Sequence, residues 1–224
     1  METSHIQNRE HETGHTRRRS MGRQSAEVSQ QTKEAIILAA LHIFAEQGFE
    51  AASLRDIAEK AHITHGTLRH YFGSKAGVWQ AVVEFVLQRF AGALQPHIQQ
   101  ATQRQEDLLE TIKRSIRSFL LVFAHHPEMA QLMLHEGMQG GARFDYFIDR
   151  FEQIDNTMLP LFMQAQQLGY LRQFDSQTFL LYLLTTGAAP FGLRALSLRF
   201  IGKDILADEQ TQQHIDRVLA TLFC

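Results

Sequence analysis

The chain predicts an all-α fold on three observations. Apolar residues recur at three- and four-residue spacing through most of its length, only four prolines interrupt it, and β-branched residues form few clusters. Residues 1–28 are polar, rich in His, Arg, Glu and Ser, and lack an apolar period, so the sequence predicts disorder for most of them. The first helix is then expected from about Gln31 to Gln47, with Ile36, Ile37, Ala40, Leu41 and Phe44 inward and Gly48 stopping it. Ser53 and Asp56 have capping-box spacing, which starts a second helix at Leu54 that turns Leu54, Ile57, Ala58 and Ala61 to one side. After a polar break at residues 62–64, Thr64 caps a third helix from His65 to Phe72, with Leu68 and either Tyr71 or Phe72 inward.

Ser74 caps a long fourth helix carrying Val78, Val82, Phe85, Val86 and Phe90, expected to end before Pro96. A further helix, from about Glu106 to Ala124, buries Leu109, Ile112, Ile116, Phe119, Leu120 and Phe123. Pro127 opens the next, which reaches Met138 and ends at Gly140 and Gly141. From Arg143 to Leu168 the inward set is Phe144, Phe147, Ile148, Phe151, Ile154, Met158 and Phe162, with a kink expected near residues 156–160 because Pro160 removes an amide. The last two helices are expected from about Ser176 to Phe200 and from about Glu209 to Leu222.

Composition narrows the function. At 224 residues the chain is long enough for a substantial core, and a hydrophobic content of 44% agrees with a soluble globular protein. A single cysteine, Cys224, excludes an internal disulfide framework and a Cys-based metal cluster, and it fits a reducing cytoplasm. The N-terminal segment has no apolar stretch of the secretory type. The uncharged run from Ser176 to Leu193 is broken by Thr185, Thr186, two glycines and Pro190, so it reads as a buried helix and no membrane partner is expected. His125, His126 and His135 lack a completing carboxylate, adjacent histidines cannot both face one site, and no metal or other cofactor is expected. No nucleophile–base pair, phosphate loop or carboxylate dyad is visible, which argues against an enzyme.

The net charge of −2 does not identify a nucleic-acid partner. Placement does. The third helix turns His65, Thr67, Arg69 and His70 outward, and a short helix bearing such donors suits a major groove, where base edges display distinct donor and acceptor patterns. Arg55 and Arg69 are the sharpest base-reading candidates, because a guanidinium can bond guanine O6 and N7 together; the alternative is pairing with Asp56 or Glu59. Ser53, Thr64, Thr67, Tyr71 and Lys75 are the candidates for phosphate contacts, with Lys75 at a helix start where free amides already attract anions. Tyr71 also reads as a core aromatic whose hydroxyl reaches solvent. Arg17, Arg18, Arg19 and Arg23 read either as an arm touching the minor groove or backbone, or as a solubilising tail.

From Thr32 to about Val83, in ILAALHIFAEQGFEAASLRDIAEKAHI followed by THGTLRHYFGSKAGV, the chain resembles the DNA-binding domain of tetracycline-repressor-type (TetR family) transcriptional regulators. The resemblance rests on the Phe44 to Gly48 helix end, the small residues before Leu54, Gly66-Thr67-Leu68, and the Tyr71-Phe72-x-Ser74-Lys75 exit. It implies a DNA-binding domain at 29–76 and a helical effector-binding and dimerisation domain at 77–224. It puts His65 and Arg69 on the groove-facing side, His70 beside them, and Arg55 reaching from the preceding helix. It departs from the family at the corner, where His62 replaces the usual glycine and must adopt a left-handed backbone. The implied function is a homodimeric repressor that leaves a palindromic operator on binding a small, largely apolar molecule. Phe119, Phe123, Met133, Phe147, Phe151, Phe162 and Thr185 are the expected pocket, although such stripes are more often plain core. Phe179, Leu183, Leu196, Ile215, Val218 and Leu222 are the expected dimer interface. Two alternatives stand beside this reading: an all-α carrier or enzyme with a non-functional helix-turn-helix, and a DNA-binding regulator without a small-molecule effector.

Overall fold

A computed structural model describes the backbone of residues 7–104 and 108–223, and side chains outside 7–26, 98–104 and 153–158. The described residues are helical throughout: α1 Gln7–Ala51, α2 Leu54–Lys60, α3 His65–Phe72, α4 Lys75–Arg104, α5 Leu108–His125, α6 Pro127–Gln139, α7 Ala142–Gln167, α8 Ser176–Tyr182, a π-helical turn Leu183–Ala188, α9 Ala189–Gly192, α10 Arg194–Ile201 and α11 Asp208–Leu222. Helices α1 to α3 form a head packed on the start of α4, and α4 runs on into a body built from α5 to α11.

In the head, the helix boundaries follow the residues that cap them. Ser53 Oγ accepts from the Asp56 amide at 3.2 Å, Thr64 Oγ1 from the Thr67 amide at 3.1 Å, and Ser74 Oγ from the Gly77 amide at 3.1 Å. Gly48 stands at φ 73° and breaks α1 where the sequence predicts a stop. The start of α1 differs from expectation, since the helix begins at Gln7 rather than near Gln31. Its first half is polar all round but contains no proline, and Glu, Gln, Arg and Ala are good helix formers. The end of α4 differs too, for the helix passes through Pro96 to Arg104. The carbonyl that Pro96 leaves without a donor belongs to Gly92, which is exposed to water. Helix α7 likewise continues past Pro160. Ile154 and Met158, expected on its inner face, lie outside the described side chains.

The body core centres on Phe90, whose ring lies 5.1 Å from Phe119, 4.9 Å from Phe123 and 5.8 Å from Phe151. The expected helix from Ser176 to Phe200 is not continuous. A π-helical turn follows Tyr182, and the chain bends by 86° between Gly192 and Arg194. Among the described residues no single helix is long and apolar enough to cross a membrane. Gly187 lets the π turn approach α5: a Cβ there would meet Leu120 Cδ2 at 2.6 Å. A π turn leaves a backbone carbonyl without its usual donor, and here His214 Nε2 reaches the Gly187 oxygen at 2.8 Å.

Burial holds the His214 imidazole below its ordinary value of 6.5, with Arg217 adding to the shift and the Gly187 bond opposing it. His126 and His97 are also lowered, chiefly by burial. The unfolded chain therefore binds more protons just below pH 6.5 than the folded one, and the stability these neutral imidazoles contribute is full above that pH and lost as pH falls. The melting temperature is expected to drop between pH 7 and pH 5, and less steeply in His214→Asn. A melting temperature that rises on acidification over this range would contradict the assignment.

Candidate nucleic-acid interface

The corner between α2 and α3 is set by backbone bonds around a left-handed residue. His62 stands at φ 54°, its amide bonds to Glu59 O at 3.0 Å, and the Ile63 amide to Ala58 O at 3.0 Å. These are the two bonds of a Schellman cap, and they put histidine where the sequence predicts a left-handed backbone. The arrangement fixes the angle at which α3 leaves the head.

On α3, Leu68 is fully buried and anchors the helix, while His65, Gly66, Arg69 and His70 are exposed. Arg55 is exposed on α2. Among the described residues neither Arg55 nor Arg69 has a carboxylate partner, and Asp56 instead takes the Ser53 hydroxyl at 2.7 Å. The competing reading of these arginines as local ion pairs has no support in this geometry. His70 packs its ring against Tyr71, with centroids 5.6 Å apart.

The expected phosphate contacts separate into two groups. Thr64 and Thr67 share a hydroxyl–hydroxyl bond of 2.8 Å that uses one hydrogen, so the second is free to meet an anion at the start of α3. Tyr71 is half-buried, donates its hydroxyl to Ser29 Oγ at 3.2 Å and lies beside Lys33, whose Nζ is 5.9 Å from its ring. It therefore ties α3 to α1, at the edge of the surface that α3 presents. Ser53 spends its hydroxyl hydrogen on Asp56, which leaves none for a phosphate. Lys75 corrects the expectation most clearly. Its ammonium group donates to Phe49 O at 2.7 Å, Ala52 O at 3.0 Å and Glu50 O at 3.2 Å, and sits 4.4 Å from the Phe49 ring centre. All three hydrogens are committed to carbonyls at the end of α1, so Lys75 works as a helix cap supplied from α4. The side chains of Arg17, Arg18, Arg19 and Arg23 lie outside those described.

The body holds an almost wholly apolar cavity of about 50 Å³. Of the residues proposed for a pocket, Phe119, Phe151 and Phe162 line this cavity, and Phe123, Phe147 and Met133 do not. Phe123 and Phe147 are absorbed into the packed core instead. Thr185 is exposed and its hydroxyl donates to Leu181 O at 2.7 Å, because the π turn swings it away from the cavity. The polar side chains in the lining are Ser115, whose hydroxyl donates to Thr111 O at 2.9 Å, and Ser176, neither of which periodicity singled out. Phe179 and Leu183, expected at a dimer interface, also line this cavity. Ile215, Val218 and Leu222 are buried at 0%, 3% and 3% exposure within the protomer, on the inner face of α11. Leu196, at 53%, remains free, and the residues missed near it in the chain are Leu193 at 43% and Phe200 at 82% exposed. The 86° bend is what turns them outward.

Residues 36–82 match the model of the bacterial regulatory proteins of the tetR family. The chain is 28% identical over 156 residues to the HTH-type transcriptional repressor KstR2 of Mycobacterium tuberculosis, covering 68% of this chain and 74% of that one. It is 26% identical over 208 residues to the HTH-type transcriptional regulator RutR of Escherichia coli, covering 90% and 94%. A solved TetR family transcription regulator from Marinobacter aquaeolei VT8 superposes with a TM-score of 0.65 at 20% identity, over 88% of this chain and 98% of the other. That likeness extends the shared fold over most of the body. The capped, arginine-bearing reader helix and the sequence relatives agree: residues 36–82 belong to the tetR family of bacterial regulatory proteins, in a chain that is similar over most of its length to TetR-type transcriptional regulators.

Proposed function

We propose that the protein is a homodimeric repressor whose paired heads, residues 29–76 of each copy, grip a palindromic operator, and whose body, residues 77–224, releases it on binding a small, largely apolar ligand. The observation that carries this reading is the exposed face of α3, where Arg69 has no carboxylate partner among the described residues and stands on a helix held by Leu68 and the Thr64 cap. Arg69, His65, His70 and Arg55 are assigned to base edges, and Thr64 and Thr67 to phosphates, while Tyr71 holds α3 to α1 through Ser29. The basic residues between Arg17 and Arg23 extend α1 from the same head, as an arm along the duplex.

Two further features support the body's part. Leu196 and Phe200 on α10, with Leu193 just before it, expose large apolar surface, which a monomer rarely leaves in water. A two-fold partner covering that face brings two heads together, and successive major grooves require them about 34–36 Å apart. The cavity suits an apolar ligand, because its walls hold no charge among the described side chains. At about 50 Å³ it has room for only some four waters, so a ligand must spread the surrounding helices to enter. Such spreading releases DNA through differential affinity, and a switch from 1:99 to 99:1 takes about 5.5 kcal/mol.

The dimer is tested by Leu196→Asp combined with Phe200→Asp. The variant is expected to sediment as a monomer and to lose at least thirtyfold in operator affinity, about 2 kcal/mol, while keeping its helical content. A variant that remains dimeric would move the interface elsewhere.

A further inference from the structure

The turn after Gly48 is held from two directions. The Phe49 ring carries Lys75 Nζ at 4.4 Å and the Arg143 guanidinium carbon at 4.3 Å, and Trp79 meets it edge-on at 6.4 Å. Lys75 and Trp79 come from α4, but Arg143 comes from the first turn of α7 in the body. Arg143 also donates to Glu50 Oε1 at 2.8 Å, across to the head. Its Nε lies 3.3 Å from Oε2 of Glu136, on the last turn of α6. Trp79 completes the circuit by packing on Tyr146 of α7 at 5.7 Å.

Glu136 is only 3% exposed, and its Oε2 and the Arg143 Nε are both buried without an aligned hydrogen bond. Buried charged atoms ordinarily complete such bonds, so this close pair holds its two helix ends together by charge rather than by an aligned hydrogen bond. The joint therefore ties the ends of α6 and α7 in the body to the turn that leads into α2 and α3.

We infer that Glu136 and Arg143 are positioning residues for DNA reading: through Phe49 and Glu50 they fix the angle between head and body, and so the half-site spacing that the protein accepts. The inference rests on the paired-head reading above. It assigns no DNA contact to either residue.

The test uses the full-length protein and duplexes carrying its selected palindrome, with the half-sites moved together or apart by one and two base pairs. Wild type is expected to bind one spacing preferentially. Glu136→Gln/Arg143→Met removes both charges at nearly constant volume, and is expected to lose about tenfold on the preferred spacing while binding the shifted duplexes as before. Arg143→Lys, which retains the charge but not the fork, is expected to fall between. Phe49→Leu probes the same joint by removing the ring under Arg143 while leaving both charged side chains in place, and is expected to flatten the spacing preference even if the double variant fails to fold. A merely structural role lowers affinity for every spacing alike, and that result, or an unchanged preference in the variants, overturns the inference while leaving the dimer intact. Wild type that ignores spacing altogether overturns the paired-head reading as well.

Discussion

Replacing Lys75 by methionine is expected to lower the stability of the protein by about 2–4 kcal/mol. The side chain is half-buried, and its ammonium group supplies three charged hydrogen bonds to the carbonyls of Phe49, Glu50 and Ala52. Bonds to charged groups contribute about 1.5–3 kcal/mol each in isolation, but the three share one donor group and the carbonyls regain some water when it leaves. Methionine keeps most of the apolar stem while leaving those carbonyls unpaired at the negative end of α1. Urea unfolding of wild type and variant measures the difference. The same variant separates the cap from the phosphate contact that the sequence suggests. A lysine on a phosphate would leave stability unchanged within about 0.5 kcal/mol and reduce the salt dependence of DNA binding by about one charge. The structure predicts the reverse, with stability lost and the salt slope nearly unaltered.

Arg69→Ala is expected to relax the preference at one base pair in each half-site, at a cost of about 1–3 kcal/mol per half-site on the preferred sequence. Arg69 is exposed and is not anchored by a carboxylate among the described residues, so truncation removes little from the folded state. The loss falls on discrimination, and binding to unrelated duplexes should weaken far less. Comparing the sequences enriched from a random pool by wild type and variant reads this directly. A uniform fall across all sequences would assign Arg69 to the backbone instead.

Local chemistry was legible in the sequence wherever a side chain acts on its own neighbourhood. The Ser53, Thr64 and Ser74 caps, the Gly48 stop and the left-handed His62 all depend on residues within a few positions, and each is found where the spacing predicts it. The outward face of α3 was legible for the same reason. Longer-range partnerships were not. Lys75 looks like a phosphate ligand until the end of α1, more than twenty residues earlier, is folded against it. Arg143 meets Glu50 across 93 positions, and no periodicity announces that pairing. The body misled in another way: Phe179, Leu183, Ile215, Val218 and Leu222 are apolar enough for an interface, but apolarity does not say whether a face meets its own chain or a second copy. The π turn and the bend at Leu193 decide that, by turning Leu196 and Phe200 outward and Thr185 away from the cavity. A signal for the bend was present in Gly187, Pro190 and Gly192, although the helical pattern runs through them.

The central claim is that two copies of this chain present paired reader helices to one symmetric DNA site. Sedimentation of the purified protein with a duplex selected from a random pool, followed at several salt concentrations, measures it most directly. The account predicts two protomers on each palindromic duplex, with affinity falling steeply as salt rises. A single protomer on the duplex, or a pool with no enriched sequence at low salt, would contradict it.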